Sequence, residues 1–145
     1  MDENLLKILT VAGLGALELW AAIPAGFALG LHPIVIAVSA ASGAIIAVLL
    51  VVALGERAQA WLARRHEPSE GGQRRLRALW QRYGVAGLGL AAPLLVGAPI
   101  GTVVGLLLGA PPRSLACWMA LGVGAWSLGL TLAGSLGLIG LESLG

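Results

Sequence analysis

Charge is scarce in this chain. Only 11% of its 145 residues are Asp, Glu, Lys or Arg, against 58% hydrophobic residues. A soluble domain typically carries about 25% charged residues, so the composition excludes an ordinary soluble domain and points to an integral membrane protein. Cysteine is scarcer still. The single Cys117, set in an apolar run, can build neither a disulfide framework nor a Cys-based zinc site, and reads as a small buried hydrophobe. The two histidines, His32 and His66, stand alone, so no metal site is expected. No serine has a base close by, and no phosphate-cradling loop follows a strand, so neither enzyme chemistry nor a cofactor is expected. Glycine, by contrast, is plentiful at 22 residues, as suits membrane helices whose backbones approach closely.

The little charge there is lies in one place. Residues 56–83 hold seven Arg against three Glu, within an overall net charge of +2. A basic loop between apolar segments sets topology and faces the cytoplasm, so no nucleic-acid partner is expected. Within it, Gln73 to Tyr83 reads as an amphipathic helix, with Leu76, Leu79, Trp80 and Tyr83 at helical spacing and Arg74, Arg75, Arg77 and Arg82 around them. These arginines are either topology determinants or contacts for anionic lipid. His66 to Gly72, with Pro68 and paired glycines, reads as a linker.

Two long spans frame the loop. Pro33 to Leu54 is free of charge and about 33 Å long as a helix, matching a hydrocarbon core of ~30 Å. Leu115 to Ile139 is the second, with Ser127, Thr131 and Ser135 at steps of four along one side. Each is preceded by an apolar stretch that prolines and glycines interrupt. Residues 5–31 would be about 40 Å as one helix, enough for one tilted, broken span or for a re-entrant hairpin of two half-length helices, but too short for two crossings. The hairpin's tip is expected near Ile23-Pro24-Ala25-Gly26, because proline removes a backbone donor and glycine permits a sharp turn. Residues 84–110 are uncharged and broken at Pro93 and Pro99, with Gly97 and Gly101 nearby. Gly101, Gly105 and Gly109 form a flat face for another helix.

The two broken stretches share a skeleton. Pro24-x-Gly26-x-x-x-Gly30 returns 75 residues later as Pro99-x-Gly101-x-x-x-Gly105. Duplicated broken segments are a transporter signature. The expected fold is all-α and membrane-embedded: one domain of two pseudo-repeats, over 5–54 and 84–139, with the basic linker and amphipathic helix over 55–83 between them. If both broken segments are re-entrant, the repeats are inverted, their tips meet near the midplane, and Arg113 lies inside. The rival is a plain four-span bundle with Arg113 outside.

Three ionisable residues are candidates for transport and proton coupling. Glu18 is the one carboxylate between Glu3 and Glu56. Intramembrane acids are functional by default, and desolvation lets a carboxyl carry a proton near neutral pH. The alternative is an interfacial or helix-capping role. Arg113 is read as a partner for an anionic substrate or lipid phosphate, or as a topology charge. His32 is read as a turn residue or a proton relay. The expected partners are membrane lipid, protons and a small-molecule or lipid substrate. One short chain makes a thin wall around a pathway, so a homodimer or larger assembly is also expected.

Glu18-Leu19-Trp20-Ala21-Ala22-Ile23-Pro24-Ala25-Gly26-Phe27-Ala28-Leu29-Gly30-Leu31 resembles the opening motif of the small multi-drug export proteins. So does Arg82-Tyr83-Gly84-Val85-Ala86-Gly87-Leu88, which leads into a Pro/Gly-broken segment, an Arg-bearing turn and a final span. That family looks like a relative of the DedA membrane proteins, thought to have paired re-entrant hairpins and to move lipid carriers. The resemblance implies a prokaryotic inner-membrane protein. It assigns Glu18, Pro24 and Gly26 to a first hairpin motif, and Pro93, Pro99 and Gly101 to a second. DedA proteins carry arginines beside the second hairpin's proline, whereas Leu90 and Val96 stand near Pro93 here. Three functions follow: a proton-coupled exporter working by alternating access, a lipid or lipid-carrier flippase or scramblase, and a non-transporting scaffold held by its GxxxG faces.

Overall fold

The computed structural model describes the backbone of residues 3–65 and 70–142, and the side chains of 3–55 and 80–137. All described regular structure is helical. The order is α1 (Glu3–Leu17), α2 (Leu19–Ala28), α3 (Pro33–Arg65), α4 (Glu70–Leu95), α5 (Ala98–Leu107) and α6 (Pro112–Glu142). Residues Pro33–Gly55 of α3 and Pro112–Gly137 of α6 are long and apolar enough to cross a membrane. Their outer faces carry large exposed hydrophobes, among them Ile34, Val38, Ile46, Leu50 and Leu54 on α3 and Leu121, Leu128, Leu132 and Leu136 on α6. So continuous an apolar exterior suits lipid rather than water.

Proline at the first helical position starts both long helices, where its missing N–H costs nothing. Gly55 (φ 46°) and Gly84 (φ 59°) kink α3 and α4 in a backbone region that favours glycine. Glu70, Gly71 and Gly72, expected in a linker, are helical. The rest of that linker, His66 to Ser69, lies outside the described residues, as do the side chains of most of the basic stretch. Of the expected amphipathic helix, Trp80 packs on the core, while Tyr83 is exposed with the Arg82 guanidinium 5.5 Å from its ring centre.

The interior is built from small residues and a few large ones. Val11, Ile36, Leu88, Leu115, Met119 and Val123 are fully buried, with Ala22, Ala40, Ala44 and Ala92 among them. Glycine sets how closely the helices meet. A Cβ at Gly15 would lie 2.3 Å from the Ala40 carbonyl oxygen, and one at Gly43 would run into that of Ala12, so α1 and α3 touch backbone to backbone. Gly122 meets the Gly89 carbonyl in the same way, 2.2 Å from its own Cβ position, and joins α6 to α4.

The same backbone pattern occurs twice, 79 residues apart. Helices α2 and α5 are each 10 residues long. Each ends in the same turn. Gly30 N–H donates to Phe27 O and Leu31 N–H to Gly26 O; Gly109 N–H donates to Leu106 O and Ala110 N–H to Gly105 O. Gly30 (φ 70°) and Gly109 (φ 84°) supply the left-handed residue that this helix stop requires. Beyond each turn, His32 O accepts from Ile36 N–H and Pro111 O from Leu115 N–H. Gly26 packs on Ile36, and Gly105 packs on Leu115.

This register corrects the spacing of 75. Pro24 lies inside α2, whereas Pro99 sits in the first turn of α5, so the two prolines do not correspond. Gly26 instead corresponds to Gly105, Gly30 to Gly109 and Pro33 to Pro112.

Candidate functional site: two helix breaks and an apolar cleft

The chain breaks at Glu18 and at Val96–Gly97. Glu18 is extended (φ −157°, ψ 126°) and starts α2, its carbonyl accepting from Ala22 N–H. Gly97 (φ 86°, ψ 151°) starts α5 and accepts likewise from Gly101 N–H. The first break therefore falls at Glu18 rather than at Ile23–Gly26. Pro24 withholds one N–H from the Trp20 carbonyl, which α2 survives, and Gly26 is spent on close packing against Ile36. In the second half, Pro93 is buried within α4 and Pro99 follows the break.

Around Gly97 the chain doubles back. The Cβ position of Gly101 lies 2.3 Å from Ala92 Cβ, and that of Gly105 lies 3.0 Å from a Leu88 methyl. Residues 88 and 105 would be about 25 Å apart in a straight helix, so the end of α4 and α5 run in opposite directions. Helices α1 and α2 also pack on each other across Glu18.

The two breaks meet. A Cβ on Gly97 would lie 3.2 Å from Leu17 O, and Trp20 Nε1 donates to Leu94 O at 3.1 Å. Leu94 is in the last turn of α4, where carbonyls lack helical partners, so Trp20 satisfies a group that the break exposes. Trp126 Nε1 donates to Leu90 O at 2.7 Å, and Ser127 Oγ to Ala37 O at 2.8 Å, tying α6 to α4 and α3. Thr131 Oγ1 is the one buried side-chain polar atom without a partner among the described residues.

Beside the breaks, α2 and α6 enclose a cleft of about 330 Å³ lined by Trp20, Ile23, Pro24, Phe27, Leu130 and Gly134. Its walls are apolar, the Trp20 ring N–H being spent on Leu94 O. Gly134 touches the Phe27 ring, with its Cβ position 2.5 Å from Cε2. That contact also fixes orientation. Gly134 lies about 33 Å along α6 from Pro112, yet Phe27 is near the turn at Leu29–His32. The turns at Leu29–His32 and Leu108–Pro111 therefore lie at opposite ends of the helix pair.

The candidate ionisable residues are not gathered. Glu18 is exposed at its break and makes no side-chain cap. His32 is exposed in one turn, its Nδ1 accepting from Ile34 N–H at 3.4 Å. Arg113 is exposed beside the opposite turn. The sole ion pair among the described residues is Lys7 with Glu3, at 2.7 Å. No group of three or more His, Cys, Asp or Glu could hold a metal among the described residues. Gly101 and Gly105 face inward against Ala92 and Leu115, and Gly109 is a turn residue, so this glycine run is no free face for a second chain. Sequence reasoning missed the lining residues Phe27, Leu130 and Gly134, which come together only when α2 reaches the far end of α6.

Apolar helices long enough to span a membrane, with two internal breaks and an apolar cleft beside them, suit a helical membrane protein. Residues 18–128 match the family described as "Putative small multi-drug export protein", and the chain belongs to that family. The match begins at the first break and takes in both breaks, α3, α4, α5 and half of α6. No curated protein and no solved structure matches the chain.

Proposed function

We propose that this protein exports a small or amphiphilic molecule by alternating access of two inverted repeats, each a re-entrant hairpin followed by a spanning helix. The observation that carries this reading is the contact between the two breaks, Leu17–Glu18 against Gly97, with an apolar cleft opening beside it. The 79-residue recurrence of turns and hydrogen bonds supports duplication. The far separation of the two turns supports inversion. Non-helical backbone at membrane depth is tolerated where protein or a cavity surrounds it, and such breaks are where transporters bind.

In this reading the substrate's apolar body lies against Ile23, Pro24, Phe27 and Leu130, and Glu18 at the break takes and releases the coupling proton. Arg113 and the basic loop face the cytoplasm and His32 the opposite side of a prokaryotic inner membrane, where two or more copies assemble. The test is efflux of a fluorescent lipophilic cation from proteoliposomes under an imposed pH gradient. Wild-type protein is expected to move the dye and Glu18→Gln to lose gradient dependence; a wild type that moves nothing overturns the reading.

A second reading is favoured by the cleft's position. Trp20 is 51% exposed and Pro24 is exposed, so the cleft opens on the lipid-facing side, as a flippase or scramblase of the DedA kind requires. Movement of labelled lipid headgroups without any gradient distinguishes it.

A further inference from the structure

The core-facing positions of α2 and α5 match one for one. Leu19, Ala22, Ile23 and Gly26 are buried on α2; their counterparts at 79 residues, Ala98, Gly101, Thr102 and Gly105, are buried on α5. Helix α5 buries two residues more, Val103 and Leu106. These are the counterparts of Pro24 and Phe27, which line the cleft. On the partner helix, Leu130 and Gly134 correspond to Val51 and Gly55 of α3, and α5 packs closely along α3. The two units therefore differ at the cleft positions themselves. Where a cleft opens between α2 and α6 beside the Phe27–Gly134 contact, α5 lies along α3 with Thr102 at 0%, Val103 at 6% and Leu106 at 8% exposure.

We propose that the α5–α3 seam, formed by Thr102, Val103 and Leu106 with Val51, is a second binding cleft in its closed state. It opens as the α2–α6 cleft closes and takes the same apolar moiety of an amphiphile from the other end of the molecule. This rests on the inverted-repeat reading above, but adds a site and the residues that gate it. Two units of like backbone have two like ways to pack. A chain holding one open and one shut has a second arrangement, with the roles exchanged, of similar energy. Gly55, kinked at φ 46° with nothing within 4 Å of its Cβ position, supplies the slack at the end of the closed seam.

The test uses thiol labelling of the full chain in lipid vesicles, on a Cys117→Ser background, because Cys117, expected from its apolar run to be buried, is exposed on α6. Pro24→Cys, exposed on the wall of the open cleft, is expected to label quickly with a small permeant maleimide. Thr102→Cys is expected to label to completion in the folded protein, but at least tenfold more slowly. Adding Gly134→Phe sets a second ring against Phe27, keeps α2 from closing on α6, and is expected to slow Thr102→Cys labelling a further tenfold or more. Gly129→Phe, on an exposed face of α6 with open space around it, is expected to leave the rate unchanged. A wedge that merely loosened the fold would speed labelling. Thr102→Cys that never labels, or labels at a rate indifferent to or raised by Gly134→Phe, overturns the second cleft. If labelling responds as expected while vesicles show no flux, the exchange stands and the transport reading fails. If flux proceeds with Thr102→Cys shielded, this inference fails alone.

Discussion

Helices α2 and α5 have equal length, end in the same glycine turn and pack on the long helix that follows them through the same glycine, Gly26 or Gly105. Yet one stands beside a cleft and the other is shut. The difference lies in side-chain bulk and in what precedes each helix. Trp20, Pro24 and Phe27 line the cleft on α2, whereas their counterparts on α5 are Pro99, Val103 and Leu106, the last two buried. Glu18 is extended in a conformation open to any residue; Gly97 is not. The lesson is that backbone pattern sets the shared frame, and a few bulky side chains decide which seam is open.

That comparison can be broken hardest at the helix contacts common to both units. Gly43→Leu and Gly122→Leu each drive a side chain into a facing carbonyl, and each is expected to cost about 3 kcal/mol, the upper range for overpacking. Thermal melting of the purified protein should fall sharply for both. A mild effect at one of them alone would mean the two units are not packed alike. Next come the breaks. Gly97→Ala places a Cβ in a backbone region reserved for glycine and near Leu17 O, and should cost roughly 2 kcal/mol. Glu18→Ala should change stability by less than about 0.5 kcal/mol, because the residue is exposed and extended, while changing gradient-driven flux. Equal losses of stability at both positions would erase the asymmetry of the breaks.

The turns should respond alike. Gly30→Ala and Gly109→Ala each put an L-residue at a left-handed position and should each lower stability by roughly 1 kcal/mol in denaturant titration. The smallest effects concern the tryptophan donors. Trp126→Phe removes a 2.7 Å bond to Leu90 O and should cost about 1 kcal/mol, with Trp20→Phe, at 3.1 Å and half-exposed, costing less. Melting temperatures of the two variants in one detergent check the order.

The long spans were legible because uncharged runs after a proline leave little choice: α3 and α6 begin within a few residues of where hydropathy places them. The breaks were less so. Proline looked like the stronger breaker, but Pro24 costs α2 a single hydrogen bond, and in an apolar setting the helix persists around it. The chain turned at Glu18 instead, where an extended residue costs little. The recurrence of the two turns was readable in Gly30-x-x-Pro33 and Gly109-x-x-Pro112, a helix stop followed by a helix start. Matching Pro-x-Gly by identity obscured it. The cleft was beyond the sequence. Phe27 and Gly134 are over a hundred residues apart, and no periodicity within either helix says which end of α6 meets α2.

The most direct test of the account is the sidedness of the two turns. His32→Cys and Arg113→Cys, each on the Cys117→Ser background in sealed vesicles of known orientation, are treated with a membrane-impermeant thiol reagent. Inverted repeats predict labelling from opposite sides, with Arg113→Cys on the side of the basic loop. Labelling of both from the same side would contradict inversion, and with it alternating access between the two breaks.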